Sequence, residues 1–267
     1  YTCYDEWNRL SGEQTSFGGE TVTYELNKLA GDNKLHIIDN KGGKGQVIDR
    51  GSSAQLSADG AVVGFKIKPH FDSIRKLKIK KEKKSKFPKD SLGLWVKGVD
   101  SIKCFDKVKS FEMAEDGSYW MIITFDDDDR FKPEEPKSKK KKKKKKKKKN
   151  QPEEPEISEE GKATMVYHAK SGRNIKIERA DETALGLNGK MVVYIRNFTV
   201  GDSLDSTSVF LFNTATEKLK RVYHDMGVSQ SITINDQETE FVFLTTKDTG
   251  DLKIYDLAHY TGSVSMP

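Results

Sequence analysis

At 267 residues, with 34% hydrophobic and 33% charged side chains, the chain is long enough for one large β domain or two ordinary ones, and it carries solvated loop besides core. The formal net charge of +6 is unevenly placed: residues 66–90 hold eleven Lys or Arg against three acids and residues 126–160 hold fourteen against eleven, which leaves the remainder mildly acidic. Two cysteines exclude a disulfide framework, and no apolar run approaches the roughly 18 residues of a membrane span.

Residues 1–13 read as a short helical or irregular lead-in, with Trp7 and Leu10 three apart on one face. They show no secretory leader and begin with Tyr1 rather than Met, so a processing boundary is expected before them. Cys3 and Cys104 are both expected to be free, with Cys104 packing in a strand as a small hydrophobe.

The stretch 55–65, Gln-Leu-Ser-Ala-Asp-Gly-Ala-Val-Val-Gly-Phe, sets the pattern for the rest of the chain. It reads as a strand, a tight turn at Asp59-Gly60 and a second strand, and variants recur at residues 110–120, 185–194 and 232–243, with a degenerate copy at 14–24. In each, an Asp, Asn or Gly cluster supplies the turn geometry, and β-branched or aromatic residues come directly after it.

In chain order the first unit predicts strands at 15–17, 21–26, 34–39 and 45–49. The second predicts 54–57, 61–68, 92–97 and 101–108, interrupted by a basic insertion at 69–90 in which alternating Leu77 and Ile79 could extend a hairpin. The third predicts 109–113, 119–125, 163–169 and 174–179. Its insertion, 126–161, holds eleven consecutive lysines, Lys139 to Lys149, between Pro- and Glu-rich arms. A segment with so little to bury is expected to be disordered. The fourth unit predicts 183–187, 191–198, 208–213 and 219–224, and the fifth 229–235, 240–246, 251–257 and 261–266.

Corresponding turn positions lie 57, 74 and 47 residues apart. Without the insertions this approaches the ~40–50 residues of a propeller blade. Both insertions fall between the second and third strands of a unit, where loops of a radial array emerge together on one face. The fold class read from the sequence is all-β: a β-propeller of five recognisable four-stranded blades spanning residues 14–267, which leaves room for an incomplete larger ring.

The lead-in with Tyr1, Thr2, Tyr4, Asp5 and Trp7, the run from Val47 to Gly60 around Arg50-Gly51-Ser52, and Pro88-Lys89-Asp90-Ser91-Leu92-Gly93 resemble the N-terminal β-propeller of exported serine peptidases of the prolyl oligopeptidase family, of the kind common in Bacteroidetes. That resemblance implies a gating propeller beside an α/β-hydrolase domain that cleaves peptides with a Ser-Asp-His triad, in the periplasm or cell envelope. Implied partners are that hydrolase domain or the rest of the same precursor, and a peptide substrate. Family members usually carry seven or eight blades, so five units are expected to form part of a ring.

The residues themselves offer no catalytic, cofactor-binding or metal site. No Gly-x-Ser-x-Gly elbow is present, and Gly201-Asp202-Ser203-Leu204-Asp205 lacks the second glycine and lies between strand candidates. The histidines His36, His70, His168, His224 and His259 are scattered without ligand spacing, and Asp126 to Asp129 lack the glycine and alternating ligands of a calcium loop. Those four acids are expected to form a solvated flank that partly offsets the lysine tract. Nucleic-acid binding by Lys139 to Lys149 is disfavoured by eleven acids in the same insertion and by the lack of interleaved aromatics. The alternative to a peptidase propeller is a stand-alone propeller scaffold for an envelope protein complex.

Overall fold

A run such as Trp120-Met-Ile-Ile-Thr-Phe125 is apolar at successive positions, not alternate ones, and so specifies a strand covered on both faces. The computed structural model, which describes residues 7–41, 45–127, 130–131, 157–159, 161–200, 204–250, 252–262 and 264–265, shows how that coverage arises. It contains five antiparallel sheets arranged as the blades of a β-propeller. Blade 1 is β1 (Asn8–Thr15), β2 (Thr21–Lys28), β3 (Lys34–Asp39) and β4 (Gly45–Asp49). Blade 2 is β5 (Gly51–Leu56), β6 (Val62–Ile67), β7 (Ser91–Val96) and β8 (Lys103–Phe105).

Blade 3 comprises β9 (Val108–Met113), β10 (Trp120–Phe125), β12 (Lys162–His168) and β13 (Asn174–Ala180). Blade 4 comprises β14 (Glu182–Leu185), β15 (Met191–Val200), β16 (Leu204–Asn213) and β17 (Lys218–Met226). A further strand, β11 (Ile157–Glu159), is drawn onto it from the insertion in blade 3. The ten-residue β15 accommodates both neighbours on one edge: residues 192–195 pair with β14 and residues 198–200 with β11. Blade 5 is β18 (Val228–Ile234), β19 (Phe241–Thr246), β20 (Asp256–Tyr260) and β21 (Val264–Ser265).

Neighbouring residues of the second strands serve opposite interfaces. Val63 and Phe65 pack with Leu35, Ile37 and Ile48 of blade 1, whereas Val62 joins Phe111, Met121 and Ile123 of blade 3. Likewise Ile123 faces blade 2 while Trp120 and Ile122 meet Val192, Tyr194 and Phe212 of blade 4. Val193 and Ile195 then meet Phe241, Phe243 and Tyr260 of blade 5. Four cores therefore join five blades in series; among the described residues no fifth core joins blade 5 to blade 1.

The first-to-second-strand turns form a second set of links. Phe17 N–H donates to Ala58 O at 2.9 Å and Thr21 Oγ1 to Gly60 O at 2.8 Å, tying blade 1 to blade 2. The Tyr119 hydroxyl donates to Asp59, and Asp116 N–H donates to Leu187 O at 3.1 Å. At the last junction the buried Glu238 carboxylate accepts the N–H groups of Asn188, Lys190 and Met191. Gly60, at φ 68°, occupies a left-handed position, and an added Cβ would stand 2.7 Å from Thr21 Oγ1, so turn geometry and blade contact both require glycine there.

Several sequence expectations change. Residues 8–13 belong to strand β1 instead of a helical lead-in, because Leu10 and its neighbours pair along β2. The 69–90 insertion is no hairpin: residues Phe71–Ile79 form helix α1, followed by a 3-10 turn at Lys84–Lys86. Ile74 and Leu77, three apart, are its half-buried pair, and this helical spacing overrides the 77/79 alternation. The third strand of blade 5 lies at 256–260, not 251–257; Leu252 and Ile254 are 93% and 79% exposed in a loop braced by Ile254 N–H on Asp248 Oδ2 at 2.9 Å. Residues 157–159 pair with blade 4 despite the expectation of disorder, whereas Lys139 to Lys149 lie outside the described residues. Cys104 does lie in a strand, β8, but exposed; Cys3 is outside the described residues.

Candidate functional site: the axial channel

The first strand of each blade is the one nearest the propeller axis, and its residue two positions before the turn repeats structurally. Gln14, Gln55, Glu112, Ala184 and Thr233 occupy this place in β1, β5, β9, β14 and β18, and all five line one cavity of about 700 Å³. Leu56, Met113, Leu185 and Ile234 come next toward the turns. The cavity is therefore an axial channel walled by every blade.

Three of these first strands carry the same irregularity. Two residues of β1 (12 and 13), of β5 (53 and 54) and of β18 (231 and 232) stand opposite a single residue of the second strand. The first bulged residue has positive φ in each: Gly12 at 65°, Ser53 at 52° and Ser231 at 60°. A carboxylate of the preceding blade takes the freed N–H groups in two of them. Glu25 Oε1 accepts Ser53 N–H at 2.6 Å, and the Glu182 oxygens accept Ser231 N–H at 2.6 Å and Ile232 N–H at 2.8 Å. These bonds tie β5 to β2 of blade 1 and β18 to β14 of blade 4, and so hold the channel wall.

The channel is negative. Glu112, Glu115 and Asp236 are its ionisable lining groups, and no Lys or Arg lines it. Partial desolvation, reinforced by the Glu115 charge, pushes the Glu112 carboxyl above the ordinary carboxylate range. Gln55 Oε1 accepts Met113 N–H at 3.2 Å, leaving its amide N–H groups to donate into the channel. Among the lining residues the hydroxyls are those of Thr183 and Thr233, and no histidine or cysteine accompanies them. The chemistry on offer is hydrogen bonding and attraction of positive charge, without a nucleophile and base in contact.

The five histidines each meet different partners. His36 stacks on Tyr24 with centroids 4.7 Å apart, His70 pairs with Asp32, and His259 pairs with Glu240 at 3.1 Å. His224 meets Ser208 Oγ at 2.9 Å. His168 stands edge-on to Trp120, and burial together with the Arg173 charge holds its imidazole below the usual range. Among the described residues no group of three or more His, Cys, Asp or Glu side chains could hold a metal ion.

Of the Gly201 to Asp205 segment, residues 201–203 lie outside the described residues; the strands on either side, β15 and β16, pair antiparallel up to Val200 opposite Leu204. Asp126 and Asp127 pair with Lys89 at 3.5 Å and Lys107 at 2.8 Å; residues 128–129 and the lysine tract lie outside the described residues. The sequence carries one signal of this channel. A Gln, Gln or Glu two residues before the turn interrupts three otherwise strand-forming segments, and a polar side chain recurring at one repeat position marks the face turned to water.

No family model matches the chain, and no curated protein matches it. Among solved structures it is similar to the β-propeller domain of the Trilobed protease from Pyrococcus furiosus, at 14% identity and a TM-score of 0.49, covering 97% of this chain and 71% of that one. The tricorn protease shows 10% identity and a TM-score of 0.48, over 94% of this chain and 21% of the other. The acylaminoacyl peptidase of Pyrococcus horikoshii gives 14% identity and a TM-score of 0.46, over 98% and 40%. The chain thus spans well under half the length of the latter two.

Proposed function

We propose that this chain is the non-catalytic propeller portion of an exported prolyl-oligopeptidase-like serine peptidase, where it admits peptide substrates and provides the docking surface for an α/β-hydrolase domain of the same precursor. The observation that carries the reading is the axial channel: it is walled by all five blades, lined with hydrogen-bonding groups and carboxylates, and holds no nucleophile–base pair. Such a channel can select and pass a chain without cutting it. The sequence resemblance supplies the peptidase context, and the lack, among the described residues, of a core between blades 5 and 1 supports docking of further parts of the precursor.

The test uses the native polypeptide that contains this chain, purified from its source. A serine-directed fluorophosphonate is expected to label it outside residues 1–267. Gln55→Trp, which crowds the channel, is expected to lower kcat/KM for long peptides several-fold while sparing a short chromogenic substrate. Absence of labelling would overturn the peptidase reading in favour of a stand-alone scaffold in a cell-envelope complex; equal loss on long and short substrates would overturn the gating role.

A further inference from the structure

The basic insertion in blade 2 is built as a rigid protrusion. Asp32 anchors its start, accepting Phe71 N–H on Oδ1 at 2.8 Å and pairing with His70 at 3.2 Å through Oδ2. Phe71, Ile74, Phe87 and Pro88 seat it over a hollow bordered by Gly31 and Asn33 of blade 1. With one face of α1 held this way, the spacing of 100° per residue turns Arg75, Lys76, Ile79 and Lys80 to the opposite side. All four are exposed, and Ile79 is 71% exposed at the helix end.

Positive charge is in excess around this tip, with Asp72 the one acid of α1, on the same outer side. Lys86 is paired with Glu82 at 2.7 Å, but Arg75, Lys76, Lys78, Lys80, Lys81, Lys83 and Lys84 make no ion pair among the described residues. Folding gains little from seven like charges on one protrusion, and a bare isoleucine among them gains nothing in water. An anionic lipid surface answers both features, since headgroups neutralise the cations while the apolar tip enters the boundary with the acyl chains. A nucleic acid would meet the cations but leave Ile79 against phosphate, and the outer face offers no aromatic ring for base stacking.

We propose that the α1 protrusion is a peripheral docking site for an anionic lipid bilayer, with Ile79 as its apolar tip and Arg75, Lys76 and Lys80 as its headgroup contacts. The inference is independent of the channel and its peptidase reading.

The experiment measures cosedimentation of the full chain with phosphatidylcholine vesicles containing about one third phosphatidylglycerol, and with phosphatidylcholine alone. A parallel background with Lys139 to Lys149 replaced by serine removes that tract as a source of binding. Partitioning is expected into the anionic vesicles only, in both backgrounds, and it weakens with salt. Neutralising a cation at the surface is worth about fivefold, so R75E/K76E/K80E should lower partitioning by more than tenfold. Ile79→Ser should lower it several-fold at unchanged salt dependence. These side chains are exposed, so circular dichroism should be unaltered in the variants. Three results would overturn the proposal: no binding in the serine background, insensitivity to either variant, or equal binding to neutral vesicles. Displacement from vesicles by duplex DNA together with insensitivity to Ile79→Ser would assign the surface to nucleic acid instead.

Discussion

The Glu238 carboxylate and the main-chain nitrogen of Met191 lie 2.7 Å apart across the junction of blades 4 and 5, 47 residues apart in sequence. The same oxygen takes Lys190 N–H at 2.7 Å and its partner oxygen takes Asn188 N–H, so one side chain satisfies three donors of a neighbouring turn. Charge-assisted bonds to buried donors are worth more than neutral ones, and a buried N–H left without an acceptor costs about 1–3 kcal/mol. Glu238→Ala should therefore destabilise the chain by about 3 kcal/mol in urea denaturation, with faster hydrogen exchange at Met191. Glu238→Gln should fall between, because one amide oxygen remains to accept. A loss under about 0.5 kcal/mol would mean that the desolvation of the carboxylate cancels its bonds.

Gly93 lies directly opposite Phe65 in the β6–β7 ladder, and the ring fills the space a side chain would take. A Cβ on Gly93 would stand 2.4 Å from Phe65 Cε2, with the ring itself fully buried between Leu35 and Trp95. Gly93→Ala should cost about 1–3 kcal/mol through overpacking. Gly250→Ala, where the nearest atom is 3.9 Å away, serves as the control and should change little. F65L in the Gly93→Ala background should recover part of the loss, and failure to do so would place the strain in the backbone.

Much of the fold was legible because blades are local. Strand pairing inside a blade spans one turn, and the Asp59-Gly60 turn with β-branched residues after it encodes that pairing within a dozen positions. What was not legible depends on other blades. Whether Val62 or Val63 faces blade 1 cannot be read from two adjacent valines, and the Glu238–Met191 link has no local signature. Helix α1 was missed because Leu77 and Ile79 satisfy a two-residue period while Ile74 and Leu77 satisfy a helical one, and seating against Phe87 and Gly31 decided between them. Strand β1 was missed because its exposed residues, including Arg9 and Glu13, are polar and give no apolar alternation. The channel was half-legible: the polar residues before the turns are visible in sequence, but their convergence follows from the radial arrangement alone.

The unequal faces of blade 1 give a test of the seam between blades 5 and 1, where the described residues form no core. Leu35 is fully buried against blade 2, whereas Val47, on the other face of the same sheet, is half exposed, as is Leu10 in β1. Leu35→Ala should cost about 2–5 kcal/mol, the range for truncation in a packed core. Leu10→Ser and Val47→Ser should stay within about 0.5 kcal/mol of the parent. Comparable losses on both faces would mean that blade 5, or another copy of the chain, covers blade 1 in solution.

Glu112 predicts a pH dependence of definite sign. Its carboxyl is raised above the ordinary value of 4.5, first by desolvation in the channel and then by Glu115. The folded state therefore holds the Glu112 proton to higher pH than the unfolded chain does. This group's contribution is most favourable in acid and declines as pH rises through the ordinary value toward the folded one. Glu112→Gln removes the ionised form and should raise stability at pH 7, by less than about 1 kcal/mol because channel water screens the charge. The same variant should leave stability unchanged near pH 3, where Glu112 is protonated in both states. Glu115→Gln removes the second cause, so carbon-13 titration of the Glu112 carboxyl should move toward, but not reach, the ordinary value. A Glu112 titration that ignores Glu115→Gln would assign the whole shift to desolvation, and a stabilisation by Glu112→Gln that persists at pH 3 would show that side-chain packing, not charge, is responsible.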